Sequence, residues 1–402
     1  MMLAATALAL CMSATPDEGW IRSQWTDDQG RLEVAARRYE SSQDPALPSV
    51  WLIGVTHVGD AHFYDQLVEL MDGTDVVIYE SVLPLGGTPP SLEAIDQRAA
   101  ATAQTASLLA SLHAGLPREQ LVSWNAANKA LTSRDRRMAN LVRDLSRDGW
   151  GVPWRLHSTD DGSAAIGSFG ADGRIGGTGD DADLVELIPT EDQSSDHAEL
   201  QRKMADMMGL AFQLDAMDYG DRRWRPGDMR IDQVQEAFEQ RGASVEGLTG
   251  LMAGTGLMGG LVHGVLDAIP VLDGLFGGRV VDTMQVIIIE MLGQEELIDG
   301  ALDMQGDAFR EVIINMRNDA ALAAVDRAAA DMTPGSSIAV LYGGGHMPQM
   351  AETMEGPRGY QAVETRWYPA ITFNMSESPL SPAEVAMLRG WLDSMGSSFF
   401  GR

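Results

Sequence analysis

The sequence predicts an α/β fold with a central, mostly parallel sheet, flanking helices and a large helical insertion. Three short apolar segments predict it, at Val50 to Val55, Asp75 to Tyr79 and Ser336 to Tyr342, because each is long enough for a buried strand. The first two are separated by a helical pattern. A strand, a helix and a strand within about thirty residues form a βαβ unit, so these strands should run parallel.

The N-terminal elements can be assigned in order. Trp20 to Tyr39 alternates around an Asp-Gln-Gly turn, which predicts a hairpin. Asp60 to Asp72 has apolar residues at helical spacing, followed by a glycine that ends the helix. We expect Asp75 to Glu80 to pair in parallel with Val50 to Val55 through this one short crossover.

The middle of the chain is less regular. Leu92 to Arg147 is mostly helical in pattern, and Ser158 to Asp183 is rich in Gly, Asp and Ser, which predicts a long surface excursion. Asp196 to Leu214 has the apolar stripe of an amphipathic helix. Leu248 to Gly278 is apolar and rich in glycine, but the charges in its second half disfavour a membrane span. Closely packed core helices or a mobile cover over a site fit it better.

The C-terminal part returns to clear periodicity. Asp307 to Asp331 predicts a long helix before the third apolar strand, and Gln361 to Phe373 predicts another strand. Ser381 to Glu384 forms a capping box with proline at the first helical position, which opens a last helix to Met395. We therefore expect a single α/β domain over 20–402, with the helical insertion at about 90–300.

Composition limits the classes of partner. The chain has 402 residues, 45% of them apolar, and a formal net charge of −29. Such a charge repels nucleic acid and anionic membrane surfaces, so neither is an expected partner. Basic clusters at Arg134 to Arg137 and Arg222 to Arg225 contain or adjoin an aspartate, which favours a solvated face over a binding patch.

The first residues resemble a leader. Met1 to Ala14 is a short apolar segment with small residues before a possible cleavage point, although a basic start is missing. We therefore expect an exported protein, in the periplasm, the cell envelope or outside the cell. Cys11 is the only cysteine, so neither an intramolecular disulfide nor a cysteine zinc site can form. A lipid anchor at Cys11 is disfavoured because Leu10 is larger than such signals usually accept.

Each of the three predicted strands ends in an ionisable residue. Gly54 to His57 closes the first, Tyr79-Glu80 the second and Gly343 to His346 the third. The carboxyl ends of parallel strands lie on one edge of a sheet, where ligands bind, so His57, Glu80 and His346 should meet there. Two imidazoles and a carboxylate form a recognised catalytic metal set, and the glycines permit sharp turns and close backbone approach.

Other interpretations remain open. A single histidine after a strand is more often a structural residue than a metal ligand. An alternative role for Gly343 to Gly345 is to cradle a phosphate, but no Lys-Ser or Lys-Thr follows, which excludes a P-loop. Asp60-x-His62 has the spacing that opens calcineurin-like phosphoesterases, but the later motifs of that family are missing.

Three blocks of the sequence resemble the TraB/PrgY/GumN (Tiki-type) family. The first is GVTHVGDAHFYDQLVELMDGTDVVIYE, with a Gly-x-x-His strand, a helix and a strand that ends in Glu. The closing block is FREVIINMRNDAALAAVDRAAADM followed by SSIAVLYGGGHMPQM, with an Arg-Asn helix before a second Gly-x-x-His. The middle block is FQLDAMDYGDRRWRPGDM. The resemblance covers about a quarter to a third of the chain.

The resemblance implies a fold similar to erythromycin-esterase-like, ChaN-like and Tiki proteins. For Tiki members it implies a metal-dependent protease activity that favours manganese or cobalt. The expected metal ligands are His57, Glu80 and His346, the expected catalytic residues are Glu80, Arg317 and Asn318, and the expected supporting residues are Gly54, Gly343, Gln213, Asp218, Tyr219 and Asp228. Arg317 would bind a substrate carboxylate or stabilise an oxyanion, with a helix-surface salt bridge as the alternative. Asp218 and Asp228 would be additional metal ligands or would support the ligands, with a cap or turn role as the alternative.

The sequence thus predicts an exported metal-dependent hydrolase, peptidase-like, that acts on a peptide or small molecule. Its cofactor would be a divalent manganese, cobalt or zinc ion. The alternative is a non-catalytic protein of the same fold that binds haem, a peptide or a signalling partner.

Overall fold

The computed structural model describes residues 19–81, 98–158, 163–190, 205–229, 231–242, 277–295 and 306–399, and the single positions 273 and 300. Among these residues no helix is long and apolar enough to cross a membrane. The leader, and Leu248 to Gly278 apart from residues 273, 277 and 278, lie outside the described residues. Their expected roles therefore stay predictions.

The strands are β1 (Ile21–Trp25), β2 (Gln29–Ser41), β3 (Ser49–Val55), β4 (Val58–Gly59), β5 (Val76–Tyr79), β6 (Arg155–Ser158), β7 (Ala164–Ser168), β8 (Leu184–Leu187), β9 (Ala211–Phe212), β10 (Trp224–Pro226), β11 (Ser337–Gly343) and β12 (Tyr360–Asn374). The helices are α1 (Ala61–Asp72), α2 (Arg98–Leu112), α3 (Trp124–Arg134), α4 (Met138–Asp144), α5 (Gln213–Ala216), α6 (Ile231–Gln240), α7 (Arg279–Leu292), α8 (Asp307–Arg310), α9 (Arg317–Ala329), α10 (Met347–Glu355) and α11 (Pro382–Phe399).

The main sheet is mixed, with a parallel centre. Within the described part of the chain it has seven strands. β3, β11, β5 and β10 run parallel, side by side in that order. β2 lies antiparallel to β3, and it also pairs with β1 and, along its whole length, with β12. The predicted α/β class, with a mostly parallel central sheet, is confirmed, and so is the N-terminal hairpin.

One expected strand pairing is wrong. β5 does not pair with β3, because β11 lies between them and pairs with both. The inserted strand is the most deeply buried of the three, with Ile338 to Tyr342 at most 1% exposed. A strand with two buried faces is favoured at the centre of a sheet. The β3–α1–β5 crossover therefore passes over one strand position.

Two helices fit their predicted patterns closely. α1 buries Phe63, Tyr64, Leu67 and Met71, which share one face at helical spacing. The predicted helix from Asp307 to Asp331 forms as α8, a π-helical segment at Glu311–Met316 and α9. α9 packs its alanine-rich face over β11 and β5 and begins at Arg317, which sets that side chain at the sheet edge.

The insertion is not only helical. α2, α3 and α4 confirm the helical pattern, but β6, β7 and β8 form a small antiparallel sheet inside the predicted surface excursion. Ile166 of β7 is fully buried against these helices. The sequence pattern did not predict β7, because glycines and aspartates surround this five-residue strand. β10 also lies within the insertion and returns to the main sheet.

The amphipathic helix predicted up to Leu214 ends earlier. Gly209 has a positive φ of 66°, a conformation that ends helices. The chain then forms β9, which pairs with β4, and the short helix α5. The part before residue 205 lies outside the described residues. Near the C-terminus, the predicted strand forms as β12, and the side chains of Ser381 and Glu384 cap α11 as expected.

Candidate functional site

The four parallel strands of the main sheet all end on one edge, and a polar residue follows each. His57 follows β3, Glu80 follows β5, His346 follows β11 and Asp228 follows β10. The sequence pattern predicted the first three of these strand ends. The fourth was not recognised because β10 has only three residues.

His346 is held in one ring orientation. It is buried, and its Nδ1 lies 2.7 Å from Oδ1 of Asn318. The amide group of Asn318 donates to the backbone oxygen of His346 at 3.0 Å and to Gln349 at 2.7 Å, so its oxygen must face the ring. An amide oxygen only accepts, and Nδ1 therefore carries a proton. Nε2 is the ring nitrogen that faces Glu80, 3.5 Å from its Oε1.

Glu80 is fixed by two groups, one from β11 and one from α9. Its Oε2 accepts from the backbone N–H of Gly343 at 2.8 Å, and its Oε1 accepts from Arg317 at 2.7 Å. A Cβ at Gly343 would lie 3.3 Å from Oε2, tighter than usual, so glycine keeps this approach open. Burial alone raises the pKa of Glu80, but Arg317, His346 and His57 hold that pKa well below its usual range. The carboxylate is therefore ionised.

Arg317 is bound by two carboxylates. Its Nε and one terminal nitrogen donate to Asp228 at 3.0 and 2.7 Å, and the terminal nitrogen also reaches Glu80. The Asp228 side chain is 0% exposed and accepts from the backbone of Ser81 and Met229 as well. Two carboxylates and one guanidinium leave a net charge of −1. Of the two roles considered for Arg317, the structure shows a salt bridge, and it is a buried one.

His57 lies on the same edge but is exposed to solvent. Its Nδ1 lies 3.0 Å from Oε1 of Gln213, and the backbone N–H of Gln213 donates to the backbone oxygen of His57 at 2.9 Å. The amide group of Gln213 donates to the hydroxyl of Tyr219 at 3.0 Å, so its oxygen faces the ring. The same reasoning gives His57 a protonated Nδ1 and leaves its Nε2 without a protein amide partner.

The other predicted site residues fall into two groups. Tyr219 and Asn318 are buried and act through Gln213 and His346 respectively. Gly54 is part of β3, where a Cβ would lie 2.6 Å from a methyl group of Val34, so its contact is with the core. Asp218 is exposed and accepts from the backbone of Gly220 in a turn. The structure gives neither Gly54 nor Asp218 a contact with the site histidines.

The sequence did not single out two neighbours of His346. Gln349, one turn later in α10, fixes the amide of Asn318. Tyr342 packs its ring edge-on against the His346 ring, with centroids 5.3 Å apart, and donates to the backbone oxygen of Gly227 at 2.5 Å. Tyr342 stands immediately before the glycine segment, so its position was the available signal.

Among the residues that the structure describes, no three His, Cys, Asp or Glu side chains form a ready-made metal cluster. The donor chemistry nevertheless fits a divalent cation, with two imidazole Nε2 atoms that no protein amide occupies, an ionised carboxylate and a negative local charge. No protein-family model matches the sequence, and no significant match was found among curated proteins or solved structures.

Proposed function

We propose that this chain is an exported, metal-dependent hydrolase, peptidase-like, whose metal ligands are His57, Glu80 and His346. The observation that carries the proposal is the shared state of the two imidazoles. Each has its Nδ1–H directed to a side-chain amide oxygen, which leaves Nε2 as the ring nitrogen available to a metal ion. Metal-binding histidines are oriented in this way by a partner on their second nitrogen. The motif resemblance to TraB/PrgY/GumN proteins supports the same proposal.

The electrostatics of the strand edge also favour a cation. Glu80, Asp228 and Arg317 together carry a net charge of −1. Because Arg317 shares Oε1 of Glu80, it keeps the carboxylate ionised but weakens it as a donor. The two imidazoles would then supply most of the binding strength, with manganese, cobalt or zinc as suitable ions.

The residues around the metal ion would have different roles in hydrolysis. A bound divalent cation would polarise the scissile carbonyl as a Lewis acid. His57 is the exposed member of the set, so substrate would approach from its side, whereas His346 and Glu80 form the buried side. Arg317 holds Glu80 in place and is already paired with protein carboxylates, so it would position the site without binding a substrate carboxylate.

The proposal is tested by metal binding and turnover together. The full chain would be stripped with a chelator, and binding of Mn²⁺, Co²⁺ and Zn²⁺ measured by calorimetry. We expect one ion per chain, bound about 10-fold or more weakly after His57→Ala or His346→Ala. His62→Ala is the matched control, because His62 is an exposed histidine on α1. Unchanged affinity after both site substitutions would remove the metal site from the proposal.

A cleavage assay distinguishes a hydrolase from a non-catalytic binding protein. A mixed peptide library would be incubated with stripped and metal-loaded protein, and cleavage followed by mass spectrometry. Metal-dependent cleavage that His57→Ala abolishes and His62→Ala retains supports a hydrolase. Metal binding without any cleavage would instead favour a non-catalytic binding protein.

Export is tested separately. The protein from its native host should lack the first 14 or so residues, which the sequence assigns to a leader. Mass spectrometry of the intact protein measures this directly. An intact Met1 in protein from a cytoplasmic extract would contradict export.

A further inference from the structure

A surface hollow of about 440 Å³ lies between α3, α4 and the loop that follows α4. Its lining includes the half-buried Trp124 and Asn128, the buried Val142, and the exposed cations Lys129, Arg143 and Arg147. These residues belong to the insertion and include none of the strand-end residues. The proposed metal site does not involve this hollow.

The charge of this hollow is opposite to that of the chain. The sequence has 58 acidic and 29 basic residues, yet the lining includes three cations and no acidic residue. A smaller adjoining hollow shares Thr132 and Ala139 with the first and adds Arg136, together with one acid, Asp218. Positive charge is therefore concentrated where a negatively charged protein offers a concave surface.

The surrounding protein neutralises little of this charge. The Lys129 ammonium has no hydrogen bond or ion pair to the part of the chain that the structure describes. Arg147 donates to the backbone oxygen of Gly151 at 2.8 Å, which leaves its charge unpaired by any acid there. Arg143 forms an ion pair with Asp144 at 3.8 Å, and both side chains are exposed. Exposed pairs of this kind contribute little.

Neutral donors accompany the cations. Asn125, Asn128 and Ser146 also line the hollow, so amide and hydroxyl groups lie beside the positive charges. Thr132 lines it as well, but its hydroxyl donates to the backbone oxygens of Asn128 and Lys129. Isolated surface lysines and arginines are ordinarily solvated. Their convergence on one concavity with amide and hydroxyl donors is the combination that binds anions, because charge-assisted hydrogen bonds to a carboxylate or phosphate are strong.

We propose that this hollow is a binding site for a small anion that carries a carboxylate or phosphate group. Lys129 and Arg147 supply charge, and the amide groups of Asn125 and Asn128 supply hydrogen bonds. The apolar surface of Trp124 and Val142 accommodates the uncharged part of the ligand. The site is independent of the proposed hydrolase activity.

Trp124 provides a local readout. The full chain would be titrated separately with inorganic phosphate and with acetate, at constant ionic strength set by chloride. The indole N–H signal of Trp124 would be followed by NMR after assignment with Trp124→Phe. We expect a saturable shift with at least one anion. The anion that saturates the signal identifies whether the site prefers phosphate or carboxylate.

Charge variants test whether the cations of this hollow bind the anion. Lys129→Gln should weaken binding about fivefold, since one charge near an anion in water contributes about 1 kcal/mol. Adding Arg147→Gln should weaken it by about twentyfold in total if the two charges act independently. Arg327→Gln removes an exposed cation from α9 and should change nothing. A shift that does not saturate with either anion, or equal weakening by Lys129→Gln and Arg327→Gln, would overturn the proposal.

Discussion

The two Gly-x-x-His segments are alike in sequence and differ in their surroundings. His346 is 6% exposed and lies after the central strand β11, whereas His57 is exposed and lies after β3. His346 is held by Asn318, which is itself 0% exposed. His57 is held by Gln213 from α5, a helix of four residues.

The difference follows from the elements behind each ring. β11 has a parallel neighbour on each side, and α9 packs over it and supplies both Arg317 and Asn318. Behind His57 the chain continues into β4, which pairs with β9 over only two residues. Small elements with few hydrogen bonds open at lower free energy than central strands.

The same motif therefore serves two purposes at one edge. The His346 half is built into the core, so substitutions there should lower the stability of the whole fold. The His57 half is supported locally, so substitutions there should change the site more than the fold. Four substitution experiments, from the largest expected effect to the smallest, test this contrast.

Arg317→Met should produce the largest effect. It leaves Asp228 and Glu80 without their shared cation, and the Asp228 side chain is 0% exposed. Removing one partner from a buried ion pair typically costs about 3 to 5 kcal/mol. The measurement is the free energy of unfolding in denaturant.

Arg327→Met is the control for this substitution. Arg327 lies on the exposed face of the same helix, and surface changes usually stay within about 0.5 kcal/mol. Equal losses for both variants would show that the cost belongs to the helix and not to the ion cluster. The contrast between the two halves would then lose its strongest support.

Much of the fold was predictable because apolar segments of strand length have few alternatives. β3, β5 and β11, and the helices that follow or precede them, appear where periodicity put them. The order of strands was not predictable in the same way. Pairing between β11 and β3 joins residues nearly three hundred positions apart, and local pattern carries no information on which strand takes the centre.

The sequence indicated which residues lie at the site, but not the contacts that their side chains make there. Strand ends and glycines indicated His57, Glu80 and His346 because parallel strands bring their carboxyl ends together. The state of each side chain depends on partners that the pattern does not reveal. The salt bridge of Arg317 needed the position of Asp228, and Asp228 follows a three-residue strand that no window of alternation detects.

Asn318→Ala and Gln213→Ala compare the two halves directly. Asn318→Ala leaves buried groups of His346 and Gln349 without partners, which should cost about 1 to 3 kcal/mol of stability. Gln213→Ala should cost less, because the exposed His57 ring can bond to water instead. Denaturant unfolding measures both. A larger loss of stability for Gln213→Ala would mean that the His57 half, and not the His346 half, is the one built into the core.

Metal affinity gives these two variants a second readout. If the proposed ligands hold a cation, loss of either orienting amide should weaken binding about 10- to 100-fold. Asn318→Ala would then lower stability and affinity, and Gln213→Ala mainly affinity. Thr353→Ala, which removes a side chain that accepts from Gln349 without touching either histidine, is a control for affinity.

Glu80 predicts a pH dependence. Its pKa in the folded protein is held well below the usual value of 4.5, so its contribution to stability is present above that value. As the pH falls below about 4.5, the unfolded chain binds a proton that folded Glu80 does not, and stability decreases until the folded pKa is passed. One group of this kind contributes a slope of up to about 1.4 kcal/mol per pH unit.

The Glu80→Gln variant should therefore lose stability less steeply with falling pH. Unfolding in denaturant at several pH values between about 5 and 3 measures the slope. Glu119→Gln, which removes an exposed carboxylate, should retain a slope close to that of the unaltered protein. Equal slopes for all three proteins would mean that Glu80 is not the carboxylate responsible for the acid sensitivity.

Tyr219→Phe should have the smallest effect and separates the local support of His57 from general packing. The substitution removes only the hydroxyl that accepts from the amide of Gln213. Loss of one such hydrogen bond costs about 1 kcal/mol. Without it, Gln213 can rotate its amide, and His57 loses its fixed tautomer. ¹⁵N chemical shifts of the imidazole measure this change directly. Tyr360→Phe removes a buried hydroxyl that donates to the backbone oxygen of Pro48 at 3.3 Å, and Pro48 precedes β3, at the opposite end of that strand from His57. It should cost similar stability and leave the His57 signals unchanged. If both variants leave the His57 tautomer intact, the backbone bond from Gln213 is sufficient to hold the exposed half, and Tyr219 contributes packing alone.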